Sequence, residues 1–159
     1  MADMVIILDF GSQYAQLIAR RVRELQVYCE LYSWKTPPEE LFKHQPGAFI
    51  LSGGPASVYA PHSPRIPEGI LESGLPVLGI CYGMQIMTHA LGGQVSPSAD
   101  QEYGLAALTT AIPNPLLPDG THTVWMSHGD RIEKLPPGFQ VLGTTDNSPV
   151  AAMGDIERR

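Results

Sequence analysis

Three features of the 159-residue sequence predict an α/β fold: an open, mostly parallel sheet with helices on both faces and antiparallel strands at an edge. Short apolar, β-branched runs alternate with helical periodicity through the first half. Gly- and Pro-containing turns punctuate those runs, and after Gly92-Gly93 the pattern changes to strands separated by turns with no helix between them. A helix between two strands carries the chain back to the end where the first strand began, so the first half pairs in parallel.

The elements follow in order. Val5 to Leu8 is a buried strand, and Tyr14 to Leu25 is a helix with Leu17, Ile18, Val22 and Leu25 on its apolar face and Arg20, Arg21 and Arg23 mainly opposite. Val27 to Tyr32 is the second strand, and Pro38 opens a short helix through Phe42. Ala48 to Leu51 is the third strand, Pro67 to Glu72 a short helix closed by Gly74, and Val77 to Ile80 the fourth strand. Beyond Gly93, Leu105 to Ala111, Thr123 to Met126, Phe139 to Thr144 and Val150 to Met153 read as short strands that add to an edge. Repeats, low-complexity tracts and linkers are absent from the sequence, so residues 1–159 form one domain.

Composition narrows the function classes. Apolar content of 43% and charged content of 16% describe a globular chain, and a net charge of −6 disfavours nucleic acid as partner. Cys29 and Cys81 are the only cysteines, too few for a disulfide framework or zinc-ligand spacing. Met4 to Leu8 is too short an apolar run for a membrane span or a signal segment, so a soluble chain in a reducing cytoplasm is expected.

The sharpest chemical signal is Leu75-Pro76-Val77-Leu78-Gly79-Ile80-Cys81-Tyr82-Gly83-Met84-Gln85. An apolar strand delivers a cysteine between two glycines, and a helical pattern follows at once; this is the signature of a nucleophile elbow, where small neighbours let a sharp strand-to-helix turn close. Unpaired N–H groups at the helix start favour an anion, which predicts a thiol depressed into the range of about 3.5–7.5. A buried core cysteine is the competing reading, but it requires neither Gly79 nor Gly83.

Ser52-Gly53-Gly54-Pro55 follows the third strand, where loops of open α/β sheets line the ligand crevice. Taken alone it reads equally as a tight turn, but its position one strand before the elbow favours the ligand-loop reading. Ser52 to Ser57 also imitates an ATP pyrophosphatase phosphate loop, but Ala56 stands where an aspartate is needed and Pro55 removes an N–H, so ATP binding is not expected here.

Gly79-Ile80-Cys81-Tyr82-Gly83-Met84-Gln85 resembles the G-x-C-x-G-x-Q signature of class I glutamine amidotransferases. Asp9-Phe10-Gly11-Ser12-Gln13-Tyr14, Ile50-Leu51-Ser52-Gly53-Gly54-Pro55 and Val124-Trp125-Met126-Ser127-His128-Gly129-Asp130 are similar to stretches of those members whose ammonia goes to a separate synthetase domain that aminates XMP using ATP. The resemblance implies glutamine as substrate, Cys81 as catalytic nucleophile, an oxyanion hole from the N–H groups of Gly54 and Tyr82, and substrate binding by Gln85, Ser127, His128 and Gly129. It implies no metal and no cofactor in this domain. ATP and Mg are expected only in an absent synthetase (ATP pyrophosphatase) domain, in the same or a partner chain.

Ser127 to Asp130 is a binding loop by the resemblance, so His128 is assigned to binding rather than to proton transfer. His44, His62, His89 and His122 read as surface or helix-face residues. Asp9 to Gln13 is read either as a ligand loop or as a helix-leading turn with Ser12 as cap. The family takes its catalytic His and acid from a His-Pro-Glu segment, and this sequence contains none; its end, Gly154 to Arg159, is similar to the turn before that segment. The expectation is therefore a C-terminally shortened amidotransferase domain. The competing readings are a non-catalytic glutamine-binding or regulatory module and an amidotransferase of anthranilate or CTP synthesis.

Overall fold

The computed structural model describes residues 4–158; the side chains of residues 98–102 and 128 lie outside what it describes. In chain order the elements are β1 (Val5–Asp9), α1 (Ala15–Glu24), β2 (Cys29–Ser33), α2 (Pro38–Lys43), β3 (Ala48–Leu51), β4 (Val77–Gly79), α3 (Tyr82–Ala90), β5 (Gln94–Thr110), β6 (Thr121–Lys134), β7 (Gln140–Thr144) and β8 (Ala152–Gly154). They fall into two compact units, one running up to Met87 and the other covering Thr88–Arg158.

The first unit is built on a four-stranded parallel sheet of order β2-β1-β3-β4. Ile7 registers with Leu31 on one side and Ile50 on the other, and Leu8 with Tyr32 and Leu51. Because side chains alternate along a strand, this register sorts the sheet into two apolar faces. Val5, Ile7, Cys29, Leu31 and Ile50 pack with Ile18, Ala19 and Val22 of α1 on one face. Ile6, Leu8, Phe49 and Leu51 are buried on the other, where the ring of Phe42 in α2 meets Phe49 edge-on at 5.6 Å. Helices thus cover both faces, and burial on both explains why these strands read as continuous apolar runs.

The turn after β1 is held by its own side chains. Asp9 Oδ1 accepts from the N–H groups of Gly11 (2.8 Å) and Ser12 (3.1 Å), and Ser12 Oγ accepts from Tyr14 N–H (3.0 Å). Ser12 fastens this turn; α1 itself begins after Tyr14 with no side-chain cap.

Two expectations are corrected. The segment expected as a helix from Pro67 to Glu72 forms turns over residues 68–72, because Gly69 adopts φ +84°, a conformation that breaks a helix; Ile70 is still buried. The strands after Gly93 do not extend an edge of the parallel sheet: they form a separate antiparallel sheet of order β6-β5-β7-β8. Within it β5 and β6 make a long two-stranded ribbon, with Leu105 opposite Trp125 and Tyr103 opposite Ser127. The ribbon far exceeds the short strands expected because backbone pairing continues through polar and small residues such as Ser96, Gly104 and Ser127, which interrupt the apolar pattern. Val95, Leu108 and Ile132 are buried in it, whereas Tyr103, Leu105 and Trp125 are exposed. Among the described residues no helix is long and apolar enough to cross a membrane.

Candidate active site around Cys81

Strand β4 ends at Gly79, Ile80 N–H donates to Leu51 C=O at 2.9 Å, and Cys81 adopts φ +50° before α3 begins at Tyr82. A left-handed conformation is uncommon for a residue with a Cβ and persists where surrounding structure enforces it. Two glycines leave room for the tight turn around it. A Cβ on Gly79 would lie 2.7 Å from the Met84 nitrogen, and one on Gly83 would collide with the Leu51 carbonyl. The Cys81 C=O accepts from Gln85 N–H at 3.1 Å, so the cysteine caps the first turn of α3. The elbow read from the sequence is present.

The Ser52–Pro55 loop lies against it. A Cβ on Gly53 would stand 3.4 Å from Cys81 Cβ, an ordinary contact, whereas one on Gly54 would run into the Phe10 carbonyl, so position 54 has no room for a side chain as the loop stands. Ser52 is fully buried; its Oγ accepts from Phe10 N–H at 3.0 Å and donates to Gly53 C=O at 2.9 Å. Tyr82 is buried as well, with its ring 5.7 Å from that of Phe10 and its hydroxyl donating to Pro64 C=O at 2.7 Å. Phe10, Ser52 and Pro64 are supporting residues that sequence reasoning did not assign. The motif around Ser52 was visible, whereas no pattern ties Pro64 to Tyr82 across 18 positions.

The two cysteines differ in setting. Cys29 is buried in the core and its Sγ donates to Ala19 C=O at 3.4 Å. Cys81 is half-buried, and burial pushes its thiol up from the ordinary value. This corrects the expected depression: the cost of removing a thiolate from water governs this thiol, and a cationic neighbour would be needed to reverse it.

Gln85 sits one turn beyond Cys81 on α3, but it is buried, 6% exposed, and engaged within the fold. Ser127, His128 and Gly129 do not form a loop. They lie within β6 in the second unit, where His128 registers with Glu102 and Asp130 with Pro97, placing Gly129 at the register shift between Pro97 and Glu102. Ser127 is exposed and Gly129 half-buried, while the side chain of His128 falls outside the described residues. Among the described residues no group of three or more His, Cys, Asp or Glu is placed to hold a metal ion.

The sequence is 57% identical over 154 residues to a GMP synthase [glutamine-hydrolyzing] of Thermomicrobium roseum, covering 95% of this chain and 29% of that protein. It is 53% identical to the same-named protein of a Nostoc species, again covering 29% of it. The chain therefore spans about three tenths of the length of the curated relatives it matches. A crystal structure of a glutamine amidotransferase from Thermotoga maritima superposes with a TM-score of 0.73 over 99% of this chain and 73% of that one, at 20% identity, a likeness of fold alone. The model of the class-I glutamine amidotransferase family matches residues 6–158, nearly all of the sequence, and the chain belongs to that family.

Proposed function

We propose that this chain is the glutamine-hydrolysing part of a GMP synthase and that Cys81 is its nucleophile. The observation that carries the reading is the elbow itself: Cys81 held at φ +50° between a strand end and a helix start, with Gly53 against its Cβ. A thiolate at this position attacks the side-chain carbonyl carbon of glutamine. The sulfur pair forms the S–C bond while the carbonyl π pair moves to oxygen. Collapse of that oxyanion restores C=O and breaks C–N, and the nitrogen leaves as ammonia with a proton from a general acid. Water then attacks the thioester, releasing glutamate and the Cys81 thiol. Backbone N–H groups of Gly54 and Tyr82 are the proposed oxyanion donors, each worth about 2.7–4 kcal/mol in such sites.

Because burial raises the Cys81 thiol, thiolate formation needs a base or cation, which we assign to the longer protein beyond residue 159. Resemblance alone supports placing Ser127, His128 and Gly129 at the substrate. The same resemblance supports Gln85, buried on α3, as a substrate-binding residue. ATP, Mg and XMP belong to the synthetase part of the longer protein.

The test uses that full-length protein with Cys81→Ala. Amination of XMP from glutamine should vanish while amination from free ammonium persists, since the two chemistries occupy separate domains. Equal loss with both donors would contradict the reading. Glutamine-dependent activity that requires Cys81 would also exclude the rival reading, a glutamine-binding module without catalysis.

A further inference from the structure

We propose that Ser52 is a positioning residue that locks the Gly53–Gly54 peptide in the orientation presenting the Gly54 N–H to the oxyanion. This rests on the glutaminase reading above and deepens it. Two consecutive glycines have no Cβ to limit their dihedrals, so the peptide plane between them turns over readily unless something holds it. The C=O of Gly53 and the N–H of Gly54 belong to that one planar unit and, in a trans peptide, point in opposite directions. Among residues 4–158 no peptide bond is cis. Whatever fixes the Gly53 carbonyl therefore fixes the Gly54 donor.

The Ser52 hydroxyl fixes it, and the direction of its proton is unambiguous. Phe10 N–H can only donate, so Ser52 Oγ accepts there at 3.0 Å; Gly53 C=O can only accept, so the hydroxyl proton points to it at 2.9 Å. Ser52 is 0% exposed, and its own N–H is anchored to Leu8 C=O at 3.0 Å. Turning the peptide over would leave a buried hydroxyl proton without an acceptor, far from water that could replace it. Two neighbours guard the same orientation. The backbone of Phe10 closes the space beside Gly54, and Pro55 biases residue 54 toward extended backbone. Ser52 thus acts on the reaction through Gly54, without touching the reacting atoms.

The experiment separates acyl transfer from simple alkylation at Cys81 in the full-length protein. A γ-(4-nitrophenyl) ester of glutamate acylates Cys81 through an oxyanion and releases 4-nitrophenolate, a leaving group that needs no general acid. Iodoacetamide alkylates the same sulfur by displacing iodide, with no oxyanion. Ser52→Ala should lower the acylation rate constant by about 10- to 100-fold, up to the loss seen on removing one oxyanion donor, and leave the alkylation rate within about twofold. Ser52→Thr, which retains the hydroxyl, should acylate within about threefold of the unsubstituted protein.

Acylation and alkylation falling together in Ser52→Ala would mean that the residue only supports the fold, and would overturn the proposal. Unchanged acylation in Ser52→Ala, or a Ser52→Thr variant that alkylates normally but acylates as slowly as Ser52→Ala, would also overturn it. An unsubstituted protein that alkylates at Cys81 but is never acylated by the ester would instead strike the glutaminase reading, and this inference with it.

Discussion

The Cβ that Gly83 lacks would occupy the space filled by the carbonyl of Leu51, the last residue of β3. One missing side chain thereby lets the helix after Cys81 start directly beside the strand that leads into Ser52. Replacing Gly83 with Ala should displace either the helix or the end of β3 and destabilise the chain by about 1–3 kcal/mol, the usual cost of forcing extra volume into packed structure. Urea denaturation of Gly83→Ala against the unsubstituted chain measures this. A change below about 0.5 kcal/mol would mean that the elbow has slack.

The Tyr82 side chain should matter to stability more than to chemistry. Its hydroxyl donates to Pro64 C=O at 2.7 Å, whereas the oxyanion donor assigned to this residue is its backbone N–H. Tyr82→Phe keeps the ring against Phe10 and removes one hydrogen bond, leaving the Pro64 carbonyl to find water. About 1 kcal/mol of stability should be lost, with glutaminase activity of the full-length protein within a few-fold of normal. Parallel measurements of Tm and kcat decide it; a hundredfold loss of kcat would give the hydroxyl a direct role.

Much of this arrangement is legible in the sequence because it depends on backbone space. Gly79, Cys81 and Gly83 announce the elbow since only small residues fit its contacts, and the strands of the parallel sheet stand out because both their faces are buried. The second sheet is less legible. The β5–β6 ribbon is held by backbone pairing through residues with no apolar period, and Ser127 to Gly129 therefore read as a loop when they lie within β6. The thiol shift was unreadable for another reason: the helix start that favours an anion is local in sequence, but the burial that opposes it arises only in the folded chain.

The pH dependence of Cys81 follows from that burial. Its thiol stands above the ordinary value of about 8.5 in this chain, so its alkylation rate should rise with a midpoint above that of a free cysteine. The sign for stability is the same: the folded state prefers the neutral thiol, so its contribution is fully present below the unfolded-state value and is lost as pH rises through the folded one. Iodoacetamide rates across pH 6–11 would contradict the account if the midpoint fell below about 8.

On the outer strand β2, Glu30 receives hydrogen bonds from the hydroxyls of Tyr28 and Tyr32. Those bonds hold its carboxyl below the usual range and push Tyr32 up to about 12, with Tyr28 also raised. Glu30→Gln removes the charge that a tyrosinate would face. In an absorbance titration of the tyrosines, the late-ionising pair should then move down toward about 10. Curves that superpose for the two proteins would show that the carboxylate does not control Tyr32.

The central claim, that Cys81 is the nucleophile of a glutamine site, is tested most directly by labelling this chain with a glutamine-like diazo-ketone and mapping the modified peptide. The account predicts modification at Cys81 in preference to Cys29, which is buried and donates its Sγ–H to Ala19 C=O, and slower labelling in excess glutamine. Faster labelling of Cys29, or labelling of Cys81 that glutamine does not slow, would contradict it.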